Sequence, residues 1–275
     1  MNDDRRLHLV LGGTGKTGRR VAQRLAAAGL PVRVGSRTGT PRFDWSERGS
    51  WPAALRDVRA VYVAYHPDLA VPGAADDVAA LVTEAKAAGV ERIVLLSGRG
   101  EPGVEPAERA VQSSGLAWTI LRAAWFDQNF SEGMLVDGVM AGEVAFPAGD
   151  VSEPFVDADD IAEVAVAALT DPRHAGQVYE LTGPRLLTFA EAVEAIGQAS
   201  GRPVRYAPVS SEEYAAMMAP YLPPEQIAFF VGLFREVLDG HNAHVSDGVE
   251  RALGRAPRDF GAYAREAAAA GAWAG

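Results

Sequence analysis

The sequence predicts an α/β protein with a doubly wound parallel sheet, followed by a small, mostly helical C-terminal lobe. Short apolar runs alternate with helical patterns over roughly residues 7–185. A glycine-rich turn separates the first apolar run from the first helix, and the pattern from Val204 onward is mostly helical. We therefore place the core at residues 1–185 and the lobe at 186–275, interleaved with the core in one compact unit.

Composition limits the function. The chain has 275 residues, 48% hydrophobic, which suits one large domain or one domain with a smaller lobe. Its net charge of −10 argues against a nucleic-acid or anionic-membrane partner. The absence of cysteine excludes disulfides and thiol catalysis. Neither a signal peptide nor a membrane span is visible, so we expect a cytoplasmic protein that is a monomer or a homodimer.

The first strand and helix flank the segment Gly-Gly-Thr-Gly-Lys-Thr-Gly at 12–18. Gly12 permits a tight turn, Gly15 lets a pyrophosphate approach the backbone, and Gly18 lets the helix pack on the strand. The helix N-terminus adds N–H donors and a partial positive charge. In the context of strand, turn and helix, this pattern predicts a dinucleotide site rather than an ordinary glycine-rich turn. The predicted loop residues are Gly12, Thr14, Gly15, Lys16, Thr17 and Gly18.

The second strand, near 31–35, ends in Ser36-Arg37, where a nicotinamide enzyme distinguishes its cofactors. An NAD enzyme usually places a carboxylate there for the ribose 2′-OH, whereas an NADP enzyme uses arginine for the 2′-phosphate. Between Asp4 and Asp44 the chain has no acidic residue. We therefore predict NADP(H), with Ser36 and Arg37 as the phosphate clamp. The alternative is that Arg37 is a solvated loop residue.

A short helix is predicted at 51–55, and the third strand, near 60–64, ends in Tyr65-His66. A helix over about 73–88 ends at Gly89, and the fourth strand, 92–96, ends at Ser97-Gly98. Ligands of open α/β sheets lie at the carboxyl ends of strands. We therefore place Tyr65, His66, Ser97 and Gly98 near the cofactor. Tyr65 packing a loop and His66 preceding a proline turn are the alternatives.

A helix around 106–114 leads to the fifth strand, 118–121, and then to an aromatic-rich segment. Trp125, Phe126 and Asn129 are candidates for a substrate pocket wall, although the aromatic side chains of such a segment also suit a core. No catalytic residue is assigned. The candidates are Tyr65, Trp125 and Asp127, with His66 and Glu108 as further groups that could donate a proton.

The remaining pattern predicts strands at 142–146 and 177–181 and a helix at 161–169. Thr188 with Glu191, and Ser210 with Glu213, form capping boxes that open two further helices. Asp157, Asp159 and Asp160 suit a helix N-terminus better than a metal. His241 and His244 lack a carboxylate or cysteine at ligand spacing, so we predict no metal site.

Two common catalytic motifs are absent. The only lysines are Lys16 and Lys86, and the residues four positions before them are Gly12 and Val82. The Tyr-x-x-x-Lys dyad of short-chain dehydrogenases is therefore impossible. A Gly-x-Ser-x-Gly elbow is also missing, so serine hydrolase chemistry has no support.

The glycine segment 12–18, Ser36-Arg37, the segment 113–122 and Asn129 together resemble the NmrA-like atypical short-chain dehydrogenases. The segments 43–45 and 244–260 are similar to the branch containing ergot-alkaloid iminium reductases of the agroclavine dehydrogenase type. The resemblance implies an NADP(H)-binding Rossmann domain, with the three glycines at the pyrophosphate and Arg37 at the 2′-phosphate. Members that reduce isoflavone-like substrates often carry a lysine where this chain has Glu108 and Arg109, so chemistry relying on that lysine is in doubt.

Two hypotheses follow from the residues and the resemblance. The first is an NADPH-dependent reductase that transfers hydride to a small electrophile, an imine or iminium or a quinone. An iminium carbon accepts hydride without a concurrent proton, which fits the lack of an evident acid. The second is a non-catalytic NADP(H) sensor that acts through a protein partner. An epimerase that retains its cofactor is a third possibility, which the missing dyad disfavours.

Overall fold

The computed structural model describes residues 6–274. The strands are β1 Leu7–Leu11, β2 Val32–Gly35, β3 Val58–Val63, β4 Arg92–Gly98, β5 Ala117–Ala123, β6 Glu143–Phe146, β7 Ser152–Glu153, β8 Gln177–Leu181, β9 Leu187–Thr188 and β10 Arg205–Pro208. The α-helices are α1 Lys16–Ala27, α2 Trp51–Leu55, α3 Ala74–Ala87, α4 Glu105–Gln112, α5 Asn129–Glu132, α6 Val136–Ala141, α7 Ala158–Thr170, α8 Phe189–Ser200, α9 Ser211–Met218, α10 Pro224–Val237, α11 Gly248–Leu253 and α12 Phe260–Ala269.

The chain forms two compact units. Among the described residues, unit 1 comprises 6–123, Ala158–Leu181 and Gly248–Arg255. Unit 2 comprises Ala124–Asp157, Thr182–Asp247 and 256–274. We predicted a core over 1–185 with an interleaved lobe over 186–275, and the chain crosses between the two units several times. The segment after β5 belongs to unit 2, and α11 returns to unit 1, where it packs on α7 and β8.

Unit 1 contains a six-stranded parallel sheet with the order β2-β1-β3-β4-β5-β8. The central strands are rich in Val, Leu and Ile and are buried almost throughout, as strands covered on both faces must be. The crossover from β1 through α1 leads to β2, toward one edge of the sheet. The crossovers from β3 through α3 to β4, and from β4 through α4 to β5, lead toward the opposite edge. Because such crossovers are right-handed, these helices cover opposite faces. The predicted doubly wound parallel sheet is confirmed.

Unit 2 combines helices with two small sheets, a parallel pair β6-β10 and an antiparallel pair β7-β9. Its core is dominated by aromatic side chains, among them the fully buried Phe130, Phe146 and Phe189. Both predicted capping boxes are present, Thr188–Glu191 opening α8 and Ser210–Glu213 opening α9. Among residues 6–274, none of the helices combines the length and hydropathy needed to cross a bilayer.

Candidate functional site

The turn between β1 and α1 leaves little room for a side chain at Gly12, Gly13 and Gly18. Gly12 has φ +69°, and a Cβ there would lie 2.8 Å from the carbonyl oxygen of Ala64, at the end of β3. A Cβ on Gly18 would lie 2.2 Å from the carbonyl oxygen of Gly12. The turn therefore requires glycine for its backbone conformation at Gly12 and for close helix–strand packing at Gly18.

The N-terminus of α1 is open to an anion. An α-helix leaves its first N–H groups without intrahelical acceptors, and here the N-cap is Gly15, which has no side chain to cap them. The first turn of α1 carries no acidic residue. Thr14 and Gly15 are exposed, so a ligand can reach the backbone of the turn. The helix end supplies donors and partial positive charge at the point where the strand order reverses between β1 and β3.

The side chain of Thr17 points into unit 1. Its hydroxyl accepts a hydrogen bond of 2.9 Å from the Tyr62 hydroxyl, and both side chains are buried. Burial raises the pKa of Tyr62 above its ordinary value. Thr17 therefore presents its backbone N–H, and not its hydroxyl, to a ligand at the helix end. The sequence alone does not show which of these two groups is available. The half-buried Lys16 accepts a hydrogen bond from Arg20 through its carbonyl oxygen.

Three arginines near the end of β2 have different surroundings. Arg33 donates to the carbonyl oxygens of Ala54 and Arg56. Arg42 forms ion pairs with Asp44 and Glu47. Arg37 is exposed and makes no hydrogen bond or ion pair within residues 6–274. Of these three guanidinium groups, Arg37 alone keeps all its donors available for a ligand.

The loop after β2 folds back on its own start. The carbonyl oxygen of Ser36 accepts hydrogen bonds from the N–H groups of Gly39 and Phe43. Trp45 then packs on Tyr65, with ring centroids 4.6 Å apart, and on Phe43 at 5.0 Å. The ends of β2 and β3 are thus joined by an aromatic surface that is only partly buried. Sequence analysis singled out Tyr65 here but missed its partner Trp45.

The hydroxyl of Tyr65 donates to Asp77 over 2.8 Å. Burial, with the hydrogen bond to Asp77 second, raises the pKa of Tyr65 to about 12. A phenol of this kind is a poorer acid than free tyrosine, which favours the loop-packing alternative for this residue. His66 is exposed, and its ring makes no hydrogen bond within the described chain.

The carboxyl ends of β4 and β5 carry a buried polar network. The Ser97 hydroxyl donates to Oε1 of Glu108 over 2.6 Å. Glu108 also accepts from Arg122, with Nε 3.0 Å from Oε1 and Nη2 2.6 Å from Oε2. Ser97 and Glu108 are 5% and 2% exposed. Sequence analysis named Ser97 and Glu108 separately, but the pairing with Arg122 depends on strand register that no local pattern reveals.

Gly98 follows directly at the end of β4. A Cβ at this position would lie 2.1 Å from the Glu101 carboxylate. Because these atoms are the far end of a flexible side chain, a larger residue at position 98 would displace the Glu101 carboxylate rather than the backbone.

The predicted substrate residues lie in unit 2. Trp125 is half-buried and packs edge-on against Phe146 at 5.5 Å and Phe189 at 5.6 Å, and against Phe234 at 5.6 Å. The fully buried aromatic residue of the segment is Phe130, so the core alternative holds for that ring.

The other predicted residues of this segment differ in exposure. Phe126 forms a bridge with Val156 and is half-buried, as is Asn129, the first residue of α5. Asp127 is completely buried. Phe126 and Asn129 are therefore open in part to a ligand, whereas Asp127 has no exposed surface in the structure.

The acidic residues around the start of α7 serve as partners of other side chains. Asp159 pairs with Arg24 at 2.6 Å and Arg20 at 3.3 Å, and Asp160 pairs with Arg255 at 2.6 Å. Asp157, in unit 2, accepts from Gln128. Within residues 6–274, no three His, Asp or Glu residues lie close enough together to share a metal ion.

Comparison with known proteins gives two matching family models. Residues 12–172 match a family described as NAD(P)H-binding, and 105–263 match the NmrA-like family. The NAD(P)H azoreductase of Xenophilus azovorans is 35% identical over 95% of this chain and 98% of its own length. Agroclavine dehydrogenase of Claviceps fusiformis is 30% identical, with 92% and 94% covered.

The fold is shared with solved structures. Triphenylmethane reductase of Citrobacter sp., complexed with NADP(H), has a TM-score of 0.75 at 22% identity and covers 96% of this chain and 99% of its own. That similarity shows the fold, and the full-length relatives and family models show the family. The resemblance inferred from the glycine segment and the segment 113–122 is confirmed. The chain belongs to the NmrA-like family of NAD(P)H-binding oxidoreductases.

Proposed function

We propose that this protein is an NADPH-dependent reductase that transfers hydride to a small conjugated electrophile, an imine or iminium or a quinone-like compound. The observation that carries the proposal is the uncapped N-terminus of α1 above its glycine turn, with the unpaired Arg37 at the end of the neighbouring strand. A phosphorylated dinucleotide fits these groups, because N–H groups of the turn can donate hydrogen bonds to a pyrophosphate and the guanidinium of Arg37 can bind a second anionic group.

The strand order supports one direction for the bound cofactor. Arg37 follows β2 and the glycine turn follows β1, so the adenosine half lies toward β2 and the pyrophosphate over β1. The nicotinamide half must then extend the other way, toward the carboxyl ends of β3 and β4. This direction would bring Ser97 and Gly98 to the nicotinamide side, while Trp45 and Tyr65 present an aromatic surface between the ends of β2 and β3.

Arg37 supports NADPH rather than NADH. A guanidinium meets a phosphate with paired, charge-assisted hydrogen bonds, but it gives the ribose 2′-OH of NADH no acceptor. The carboxylates nearest in sequence, Asp44 and Glu47, are bound to Arg42. The end of β2 therefore offers a 2′-phosphate a charged partner and offers a 2′-hydroxyl none.

The chemistry proposed needs little from acidic side chains. When bound, NADPH supplies the hydride, and the protein binds, orients and excludes water. The Tyr65 hydroxyl donates a hydrogen bond to Asp77, and the Ser97 hydroxyl donates one to Glu108. Neither hydroxyl is therefore an evident general acid. Two full-length relatives at 30% identity or more are named an azoreductase and a dehydrogenase, which supports hydride chemistry.

The proposed substrate residues, Trp125, Phe126 and Asn129, belong to a unit rich in aromatic side chains. Aromatic faces suit a flat conjugated acceptor and also attract a cation. We accordingly propose acceptors of this shape. A cytoplasmic location and a monomeric or homodimeric state stay predictions.

The test is stopped-flow oxidation of NADPH by the purified protein against a panel of cyclic imines, iminium salts and quinones. We expect saturable oxidation with at least one class. NADPH binding without oxidation by any acceptor would contradict the reductase proposal and favour the sensor hypothesis. Pull-downs loaded with NADP+ or NADPH would then show whether a protein partner binds one form selectively.

A further inference from the structure

We propose that Arg122, oriented by Glu108, stabilises negative charge that develops on the acceptor, so that the enzyme prefers neutral conjugated carbonyl compounds over iminium cations. The inference rests on the proposed function, because it takes the nicotinamide half of NADPH to lie over β3 and β4. In this proposal Arg122 contacts the acceptor and Glu108 is a positioning residue.

The pair lies at the carboxyl edge of the sheet. Ser97 of β4 is directly in register with Arg122 of β5, and only the rung Gly98–Ala123 follows. Glu108 reaches this edge from α4, the helix that connects the two strands. Since β5 is the neighbour of β4, Arg122 stands next to the strand ends over which the nicotinamide half is proposed to lie.

Glu108 fixes one edge of the guanidinium and leaves the other open. The carboxylate is 3% exposed and takes Nε–H and one Nη2–H of Arg122. Two of the five N–H groups of arginine are thus used. Within residues 6–274 the guanidinium makes no other hydrogen bond, and a third of the side chain, 33%, is exposed. Three N–H groups therefore remain for a ligand.

The surroundings of the Arg122 guanidinium favour its charged form. Hydrogen bonding to Glu108 raises the pKa of Arg122, burial opposes the shift, and the charges of Glu108, Glu180 and Glu105 add to it. Glu180 is held by Arg99, and Glu105 by Arg109. Because Glu108 is buried, the face of the ion pair that a ligand meets consists of N–H groups. A ligand at the end of β5 therefore meets a hydrogen-bond donor.

A fixed hydrogen-bond donor favours hydride transfer to a conjugated carbonyl compound but not to an iminium cation. When a conjugated carbonyl accepts hydride at carbon, the new C–H bond forms and an electron pair moves onto oxygen, leaving an oxyanion that water then protonates. A preorganised guanidinium stabilises that oxyanion. When an iminium accepts hydride, its positive charge disappears and no anion forms. Arg122 then has nothing to stabilise, and it repels the cation before reaction.

The experiment compares single-turnover NADPH oxidation with two probes, 2-methyl-1,4-naphthoquinone and N-methyl-3,4-dihydroisoquinolinium. In Arg122→Gln we expect the quinone rate to fall about 100-fold, as when an oxyanion donor is removed. The iminium rate should fall no more than about threefold, or rise. Arg122→Lys, which keeps the charge, should restore part of the quinone rate. Arg109→Gln, an exposed arginine on α4, is the control and should leave both rates unchanged.

The outcomes separate the two proposals. Equal losses for both probes in Arg122→Gln and Arg122→Lys, with a lower melting temperature, would show a structural pair and overturn the assignment. An unchanged quinone rate in Arg122→Gln would also overturn it, while the reductase proposal would stand. If the wild-type protein oxidised NADPH with the iminium but not with the quinone, this inference would fail and the reductase proposal would stand; oxidation with no acceptor of the whole panel would overturn both.

Discussion

The two units have different cores. Among residues 6–274, one cluster in unit 1 contains 22 buried residues, of which Phe43 and Trp51 are the aromatic ones. Within the same described range, the cluster in unit 2 contains 20 buried residues, and nine of them are aromatic. Both units are assembled from separate segments of the chain, but unit 1 repeats a regular strand–helix pattern and unit 2 does not. Aliphatic strands and a glycine turn build the unit that holds the predicted cofactor residues, and ring-to-ring packing stabilises the unit that holds the proposed substrate residues.

Phe189→Ala tests the aromatic packing of unit 2 and has the largest expected effect on stability. Phe189 is completely buried and contacts the rings of Trp125, Phe146 and Phe155. Its loss removes apolar contacts and leaves a cavity, at a cost of about 3–5 kcal/mol in the free energy of unfolding. Urea unfolding followed by tryptophan fluorescence measures this change.

The same variant tests the separation of roles. Because the predicted cofactor residues belong to unit 1, NADPH affinity under native conditions should change little in Phe189→Ala. A loss of NADPH affinity as large as that caused by a change in the glycine turn would contradict the comparison.

Gly18→Ala tests the glycine turn of unit 1. The added methyl would lie 2.2 Å from the Gly12 carbonyl oxygen, so the helix must shift away from the strand. We expect about 1–3 kcal/mol of destabilisation, typical of overpacking, and a marked loss of NADPH affinity. Gly49→Ala is the matched control, because a Cβ at Gly49 meets nothing within 4 Å. Equal NADPH affinities in the two variants would show that the turn does not bind the cofactor.

The ion pairs between α1 and α7 give unit 1 a dependence on pH. Burial raises the pKa of Asp159, but the hydrogen bond from Arg24 and the charges of Arg20 and Arg24 outweigh it, so the pKa lies below its ordinary value of 3.8. A lowered folded-state pKa contributes stability above the unfolded-state pKa, and that contribution is lost as pH falls through the folded-state pKa.

Asp159→Asn should therefore cost about 1 kcal/mol or less at pH 7, and this difference from wild type should shrink as pH falls below about 4. Urea unfolding at pH 7 and pH 3 measures it. Asp150→Asn, at an exposed residue of unit 2, is the control. A difference for Asp159→Asn that is the same at both pH values would refute the ion-pair interpretation.

The sequence predicts unit 1 better than unit 2 for a physical reason. The alternating strand and helix patterns and the glycines at 12, 15 and 18 are local signals in unit 1, and the structure confirms the elements they predict. In unit 2 the two capping boxes are local signals of this kind and mark only the starts of α8 and α9. Contacts that join distant segments have no such signal. Trp125 packs on rings from β6, α8 and α10, so its choice between pocket and core stays open in the sequence.

The same limit applies within unit 1. The Ser97–Glu108–Arg122 network requires the register of β4 against β5, and the burial of the Thr17 side chain requires Tyr62 of β3. The sequence also does not show which of Arg33, Arg37 and Arg42 is available to a ligand. In the structure Arg33 and Arg42 have hydrogen-bond or ion-pair partners, whereas Arg37 has none among the described residues. Arg37 as the phosphate clamp stays a prediction, which its lack of partners among the described residues supports.

The most direct test of the account is the affinity for NADPH and NADH of wild type, Arg37→Ala and a control, Arg56→Ala, which removes an exposed arginine elsewhere in unit 1. We predict that wild type and Arg56→Ala prefer NADPH. Arg37→Ala should bind NADPH about 10- to 100-fold more weakly, since a hydrogen-bonded charge contributes about 1.5–3 kcal/mol, and should bind NADH as before. An NADPH preference that survives in Arg37→Ala would contradict the clamp, and no binding of either dinucleotide by wild type would contradict the proposed function itself.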